Sequence, residues 1–241
     1  MLTEIYQAVL YQPLYNLLVF FYNIVPGHDL GLAIILLTIL IRLILSPFFV
    51  QSIKAQRALQ RVQPKLDELK EKYKGNQEKL GPAIMELYKK EKVSPFSSCF
   101  PLLIQMPILI AIFQVFRLGL GQVNGEMLYS FMYNPGNLDA VSFGFMNLAE
   151  KSIWLAVLAG LAQFWQSKTM LGKKQNQPAA KSPLASAMGK QMTYFMPIIT
   201  VMIGSSLPGG LTFYWFLTTL LSAIQQSFIF KKMDKTAISV K

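Results

Sequence analysis

Arg42 stands in the middle of an apolar run from Leu30 to Val50, with Thr38 four residues before it and Ser46 four residues after. An i, i+4, i+8 series lies along one side of a helix, so these three polar groups share a face. The chemistry open to such a set is electrostatic rather than covalent. A guanidinium is permanently charged and offers five N–H donors, but it supplies neither a nucleophile nor a base. The twelve carboxylates of the chain all fall in loops or at the edges of apolar stretches, so no internal ion pair at this depth is expected. Holding an arginine at bilayer depth costs about 2.5 kcal/mol or more unless water or a partner relieves it. The expectation is a wet cavity around a positive charge that no acid neutralises. Snorkelling to the headgroups is the bland alternative. It has to span the twelve residues to Lys54, about 18 Å of helix axis, which is more than the side chain reaches.

Other apolar stretches carry polar groups at helical spacing. Gln105 lies between two prolines. Gly160, Gln163, Gln166 and Ser167 share one side of a later stretch, and Tyr214, Thr218, Ser222 and Gln225 form a stripe on the last one, with Trp215 and Gln226 beside it. Such residues can simply glue helices together, at about 0.6 kcal/mol per hydrogen bond. Taken with the solvation that Arg42 requires, they are read as lining a shared hydrated groove. One His and one Cys, His28 and Cys99, exclude clustered metal ligands and disulfides. No phosphate-binding loop is present, no cofactor is expected, and the chain does not read as an enzyme.

The elements that must position these groups follow from hydropathy and charge. The chain is 53% hydrophobic and 15% charged, against about 25% charged in soluble domains. Apolar stretches near the roughly 20 residues that cross a bilayer recur along it. The fold class is an all-α polytopic membrane protein with five transmembrane helices. The net charge of +11 would suggest nucleic acid in a soluble chain, but its distribution argues otherwise. Residues 1–41 hold no Lys or Arg, residues 51–95 hold eleven, 118–150 none, 168–190 five, and the tail from Lys231 four. Positive loops stay on the cytoplasmic side, so the N-terminus is expected outside and the C-terminus inside a cell membrane.

Residues 1–27 read as an outer interfacial amphipathic helix interrupted by Pro13, with a cleaved signal peptide as the alternative. Residues 28–50 form the first span, and 51–94 a cytoplasmic helical hairpin that reverses at Gly75-Asn76 and has a kink or restart at Pro64. Mixed charges suit that hairpin equally to a lipid-hugging connector or a docking arm. The second span is 95–117, followed by an outer connection over 118–150 lying on the membrane interface. The third span is 151–169, then a flexible cytoplasmic linker over 170–189, a short fourth span over 190–206, a tight turn at Leu207–Gly210, a fifth span over 208–230 and a cytoplasmic tail over 231–241.

The stretches ILIRLILSPF (39–48), VQPKLDELKEKY (62–73), LYKKEKVSPFSSCFPLLIQMPI (87–108) and MPIITVMIGSSLPGGLTFYW (196–215), with Gln225-Gln226 beyond them, resemble the signatures of YidC-type membrane protein insertases. The resemblance runs in order from about residue 30 to 232. It implies a helical core with a positively charged groove open to the cytoplasm and to lipid, whose arginine is Arg42. It also implies an insertase and chaperone function in which the hairpin is a mobile arm. Gln105, Gln163, Gln166, Tyr214 and Trp215 are further candidates for the groove lining, with Thr38, Ser46, Thr218, Ser222 and Gln225. The implied partners are nascent membrane proteins and the lipid bilayer, with the Sec translocon and the ribosome as further candidates, and no sequence-specific nucleic acid. Compared with the enlarged and lipid-anchored forms of the family, neither a large periplasmic domain nor a lipobox cysteine is expected. The short tail does not predict stable ribosome tethering. A small-solute transporter or channel is the competing class. It would more often show an inverted repeat or intramembrane acids.

Overall fold

The computed structural model describes residues 2–94, 100–119, 121–171 and 191–239. Cys99 and residues 172–189 of the expected linker lie outside this set.

The chain starts as helix α1 (Leu2–Tyr6), a π-helical turn (Gln7–Tyr11) and helix α2 (Gln12–Ile24), with helical backbone at both joints. Pro13 does not break this segment. The wide turn before it, in which the Gln12 amide reaches back to the Gln7 carbonyl, absorbs the missing donor. Leu14, Tyr15, Leu18, Val19 and Tyr22 form the buried face of α2, while Phe20 and Ile24 are exposed. Pro26 ends it by forcing Val25 into an extended conformation.

Helix α3 (Leu30–Lys72) is one helix of 43 residues, about 65 Å long. The Asp29 side chain caps it by accepting from the Leu32 amide at 3.0 Å. Both Pro47 and Pro64 lie inside it, so the restart expected at Pro64 does not occur. A proline removes one backbone bond, which leaves a long helix intact when the turns on either side hold. The chain then reverses through Gly75, where φ is +88°, and returns as α4 (Gln77–Lys90). Lys65 meets Glu91 at 2.6 Å across this hairpin.

Helix α5 (Phe100–Gly119) leads into residues 121–150, which hold two miniature antiparallel ladders that the sequence did not suggest. Strand β1 (Gly121–Gln122) pairs with β2 (Asn137–Leu138), and β3 (Val141–Ser142) with β4 (Met146–Asn147). Helix α6 (Ile153–Leu171) follows. After the next described residues, a π-helical turn (Gln191–Phe195), come α7 (Met196–Gly204) and α8 (Gly209–Ser239). Helix α6 packs chiefly on α8 and α7, and α3 packs on α8 and α2. The α7–α8 turn is tied to the start of α6, because Gly209 and Gly210 donate to the carbonyls of Glu150 and Leu148 at 2.8 and 2.7 Å. A Cβ at Gly210 would stand 2.9 Å from the Phe116 ring, so the turn requires the missing side chain.

The densest core is asymmetric. Tyr15, Leu18, Ile34, Ile112, Phe116 and Leu148 all belong to it, and all lie toward the end of the bundle that carries residues 121–150, called here the loop end. The opposite, hairpin end carries α4. Along α3, Leu36, Ile39, Leu43, Ile44 and Phe48 are exposed at helical spacing, and Leu103, Leu161 and Met202 are exposed on α5, α6 and α7. An exterior this apolar is stable when hydrocarbon is the solvent. Among the described residues α3 is the one helix that is both long and apolar enough to cross a bilayer alone. Leu103–Arg117 and Thr193–Gly204 are shorter apolar helical segments.

Candidate functional site

Arg42 projects from α3 toward α8. Its Nη2 donates to the Thr218 carbonyl at 2.6 Å and to Ser222 Oγ. Ser222 Oγ itself donates to the Thr218 carbonyl at 2.7 Å, the back-bond a helical serine commonly makes. The guanidinium carbon lies 4.3 Å from the centroid of the Phe49 ring, two turns along the same helix. Among the described residues no carboxylate comes within ion-pair distance of Arg42. Among the described residues the charge therefore has no acid partner. A backbone carbonyl, a hydroxyl and an aromatic face are its protein contacts. Thr218 and Ser222 can make these contacts because they lie four apart on one face of α8, with the lone pairs of a carbonyl and a hydroxyl directed sideways.

The neighbouring contacts extend the same seam. Gln225 Nε2 donates to Ser46 Oγ at 3.3 Å, and Gln226 Nε2 lies 3.5 Å from Gln56 Oε1. Gln105 Nε2 donates to the Tyr214 hydroxyl at 3.2 Å, linking α5 to α8. Thr38 is buried and spends its hydroxyl on the Ile34 carbonyl at 2.6 Å, so its role here is local. Of the residues singled out from the sequence, Arg42, Ser46, Thr218, Ser222 and Gln225 thus meet along the α3–α8 seam, and Gln105 meets Tyr214. Gln163, Gln166 and Trp215 make no hydrogen bond to this cluster. Phe49 and Gln56 were missed. Both read as ordinary positions of an amphipathic helix, and only the seven-residue spacing from Arg42 to Phe49 carried a signal.

Several polar atoms of the seam are buried without a partner: Arg42 Nε, Thr218 Oγ1 and Gln226 Oε1. Buried donors and acceptors are rarely left unmet. These unmet ones give the seam capacity for a polar guest. No group of three or more His, Cys, Asp or Glu suited to a metal occurs among the described residues.

A helical bundle with an apolar exterior and an arginine held by neutral groups is the architecture of a helical membrane protein. The chain belongs to the 60Kd inner membrane protein family, whose model matches residues 20–236. It is similar to the membrane protein insertase YidC of Fusobacterium nucleatum, at 33% identity over 93% of this chain and 98% of that protein. It is also similar to the YidC proteins of Geobacter metallireducens, at 29% identity over 94% of this chain, and of Magnetococcus marinus, at 33% over 92%. It spans only 38% and 36% of those two longer proteins. Among solved structures, an active YidC insertase crystallised with its first transmembrane domain resolved superimposes with a TM-score of 0.58. The identity there is 25%, covering 88% of this chain and 45% of that one.

Proposed function

We propose that this chain is a membrane protein insertase that carries short outer segments of nascent membrane proteins past the dry centre of the bilayer and releases their spans into lipid. The observation that carries the reading is Arg42, a charge without an acid partner on the α3–α8 seam, in a chain whose family includes proteins named as insertases. In this reading the first part of α3, with α5, α6, α7 and α8, makes five crossings. The loop end faces outward, and the hairpin and both basic loops face the cytoplasm. The N-terminal helix lies on the outer interface. That arrangement is supported by the positive residues, which are absent from 1–41 and 118–150 and dense in 51–95.

The physical argument concerns charge. A carboxylate in a substrate tail opposes passage through hydrocarbon by roughly 2.5–3.5 kcal/mol. Attraction to a guanidinium at 4 Å and an effective dielectric near 20 is worth about 4 kcal/mol, enough to offset one such charge. A potential positive outside then favours the onward move by about 2.3 kcal/mol per charge per 100 mV. The substrate's apolar span supplies the rest by partitioning into lipid. Ser46, Gln105, Tyr214, Thr218, Ser222 and Gln225 would line the polar route, with Thr38 as internal support. Gln163, Gln166 and Trp215 remain candidates on the α6 and α8 faces. Nascent chains and lipid are the proposed partners, with the Sec translocon and ribosome as further ones.

The test is insertion of a single-span protein with an acidic outer tail into proteoliposomes containing this chain alone, read as protection of the tail from protease. Protection above that of empty liposomes is expected. Arg42→Ala should lower it about tenfold for an acidic tail and much less for a neutral tail, and Arg42→Lys should restore most of it. Equal insertion of the acidic tail by Arg42→Ala and wild type would overturn the attraction step. No protection at all with wild-type chain would overturn the insertase reading and favour a solute transporter.

A further inference from the structure

A guanidinium has two edges that can grip a carboxylate at both oxygens: the end-on edge, made by Nη1 and Nη2, and the side-on edge, made by Nε and Nη2. Both include Nη2. In this chain Nη2 is already committed twice, to the Thr218 carbonyl and to Ser222 Oγ. Nη2 carries two hydrogens, so neither edge can offer a complete fork while Arg42 is docked on α8. The Phe49 ring covers one face of the ion, leaving approach to the edges. Nε is buried and has no partner, which leaves half of the side-on fork waiting.

We propose that Ser222, together with the Thr218 carbonyl, holds Arg42 in a docked state that competes with substrate, so that a substrate carboxylate captures Arg42 only by taking Nη2 from α8. The inference rests on the insertase reading and deepens it by assigning Ser222 a role in specificity. A hydroxyl or amide of a passing tail can replace one neutral bond with another and gains nothing by displacing two. A carboxylate exchanges the same two bonds for charge-assisted ones and completes Nε as well. Docking therefore filters for acids over other polar groups. Capture also removes one tie between α3 and α8, leaving those of Ser46 with Gln225 and Gln56 with Gln226.

The experiment measures the ratio of acidic-tail to neutral-tail insertion in proteoliposomes, normalised to the chain incorporated. Ser222→Ala weakens the docked state and should raise the ratio about threefold, the worth of one neutral hydrogen bond. Ser222→Asp gives Arg42 a permanent internal carboxylate and should lower the ratio about tenfold relative to Ser222→Asn, which adds the same bulk without charge. A ratio that stays at the wild-type value or falls in Ser222→Ala overturns the proposal, because Ser222 would then not compete with substrate. An Asp variant that matches the Asn variant overturns it as well. Should Ser222→Asp fail to fold, the Ala variant decides alone, since alanine suits a helix interior better than serine. Failure of wild type with both tails would instead be failure of the insertase reading.

Discussion

Asn16 is an amide on the apolar face of α2, almost wholly buried at 2% exposure. Its Nδ2 donates to the carbonyls of Gln12 and Met127, both at 2.8 Å, and its Oδ1 accepts from the Tyr129 amide at 2.8 Å. It serves as a short piece of backbone for a loop more than a hundred residues away. Asn16→Leu keeps the size but takes the acceptor from the Tyr129 amide, at a cost of about 1–3 kcal/mol, and leaves the Met127 carbonyl only the 3.3 Å bond from Gln12 Nε2. We expect a clear fall in thermal stability in detergent, reported by intrinsic fluorescence. An unchanged melting temperature would contradict this account of the loop. Nothing in the sequence marked Asn16, because local spacing does not reveal partners at such separation. Arg42 was legible for the opposite reason. A charge in the middle of an apolar run is a local anomaly, and its need for relief can be argued before any partner is known. What the sequence lacked was the identity of the protein partners, a carbonyl and a hydroxyl on α8.

At the scale of elements, helical periodicity and the turn residues were sufficient to place the reversal at Gly75-Asn76 and the turn at Leu207–Gly210, where backbone sterics act within four residues. The same local signals gave the prolines too much weight as breaks, since of the kink or restart expected at Pro64 the restart does not occur. Pro13 is absorbed by a π turn and Pro64 by a helix that runs on, since a single lost hydrogen bond is small beside the packing of a long helix. The ladders within 121–150 were illegible because two-residue strands have no period. Gly160 shows what packing asks of an element. A Cβ there would stand 2.5 Å from Val201 Cγ2 and 3.2 Å from the Pro197 carbonyl, so α6 and α7 meet with no space for a side chain. Gly160→Ala is therefore expected to destabilise the pair by about 1–3 kcal/mol despite alanine's better helix propensity. The double variant with Val201→Ala should recover part of the loss, because the closest clash is with that side chain. Thermal unfolding of both single variants and the double checks the coupling, and simple additivity of their effects would refute it.

Across the whole molecule, structure is distributed unevenly between the two ends. The loop end gathers the dense core, and α2 fastens residues 121–150 to it: the Tyr15 hydroxyl accepts from the Asn124 amide at 2.9 Å, and the Tyr22 hydroxyl accepts from the Asp139 amide at 2.9 Å. Asp29 accepts from the Phe143 amide and Ser142 from the Gly31 amide, tying the same segment to α3. At the hairpin end α4 has no buried residue at all. Under the proposed function, with the loop end facing outward, this polarity would suit the admission of tails from the cytoplasm, and the N-terminal helix would be part of the outer seal. Local opening free energies should follow the packing. In hydrogen exchange of the detergent-solubilised chain, amides of 121–148 are expected to exchange as slowly as those in the first turns of α3, and much more slowly than those of Gln77–Lys90. Tyr15→Phe with Tyr22→Phe removes two acceptors while keeping both rings, and should speed exchange at Asn124 and Asp139 by about tenfold or more, while α4 is unaffected. Fast exchange across 121–148 in the wild-type chain would mean that α2 rests beside the loop without holding it. The closed end would then have to be sought in the helices alone.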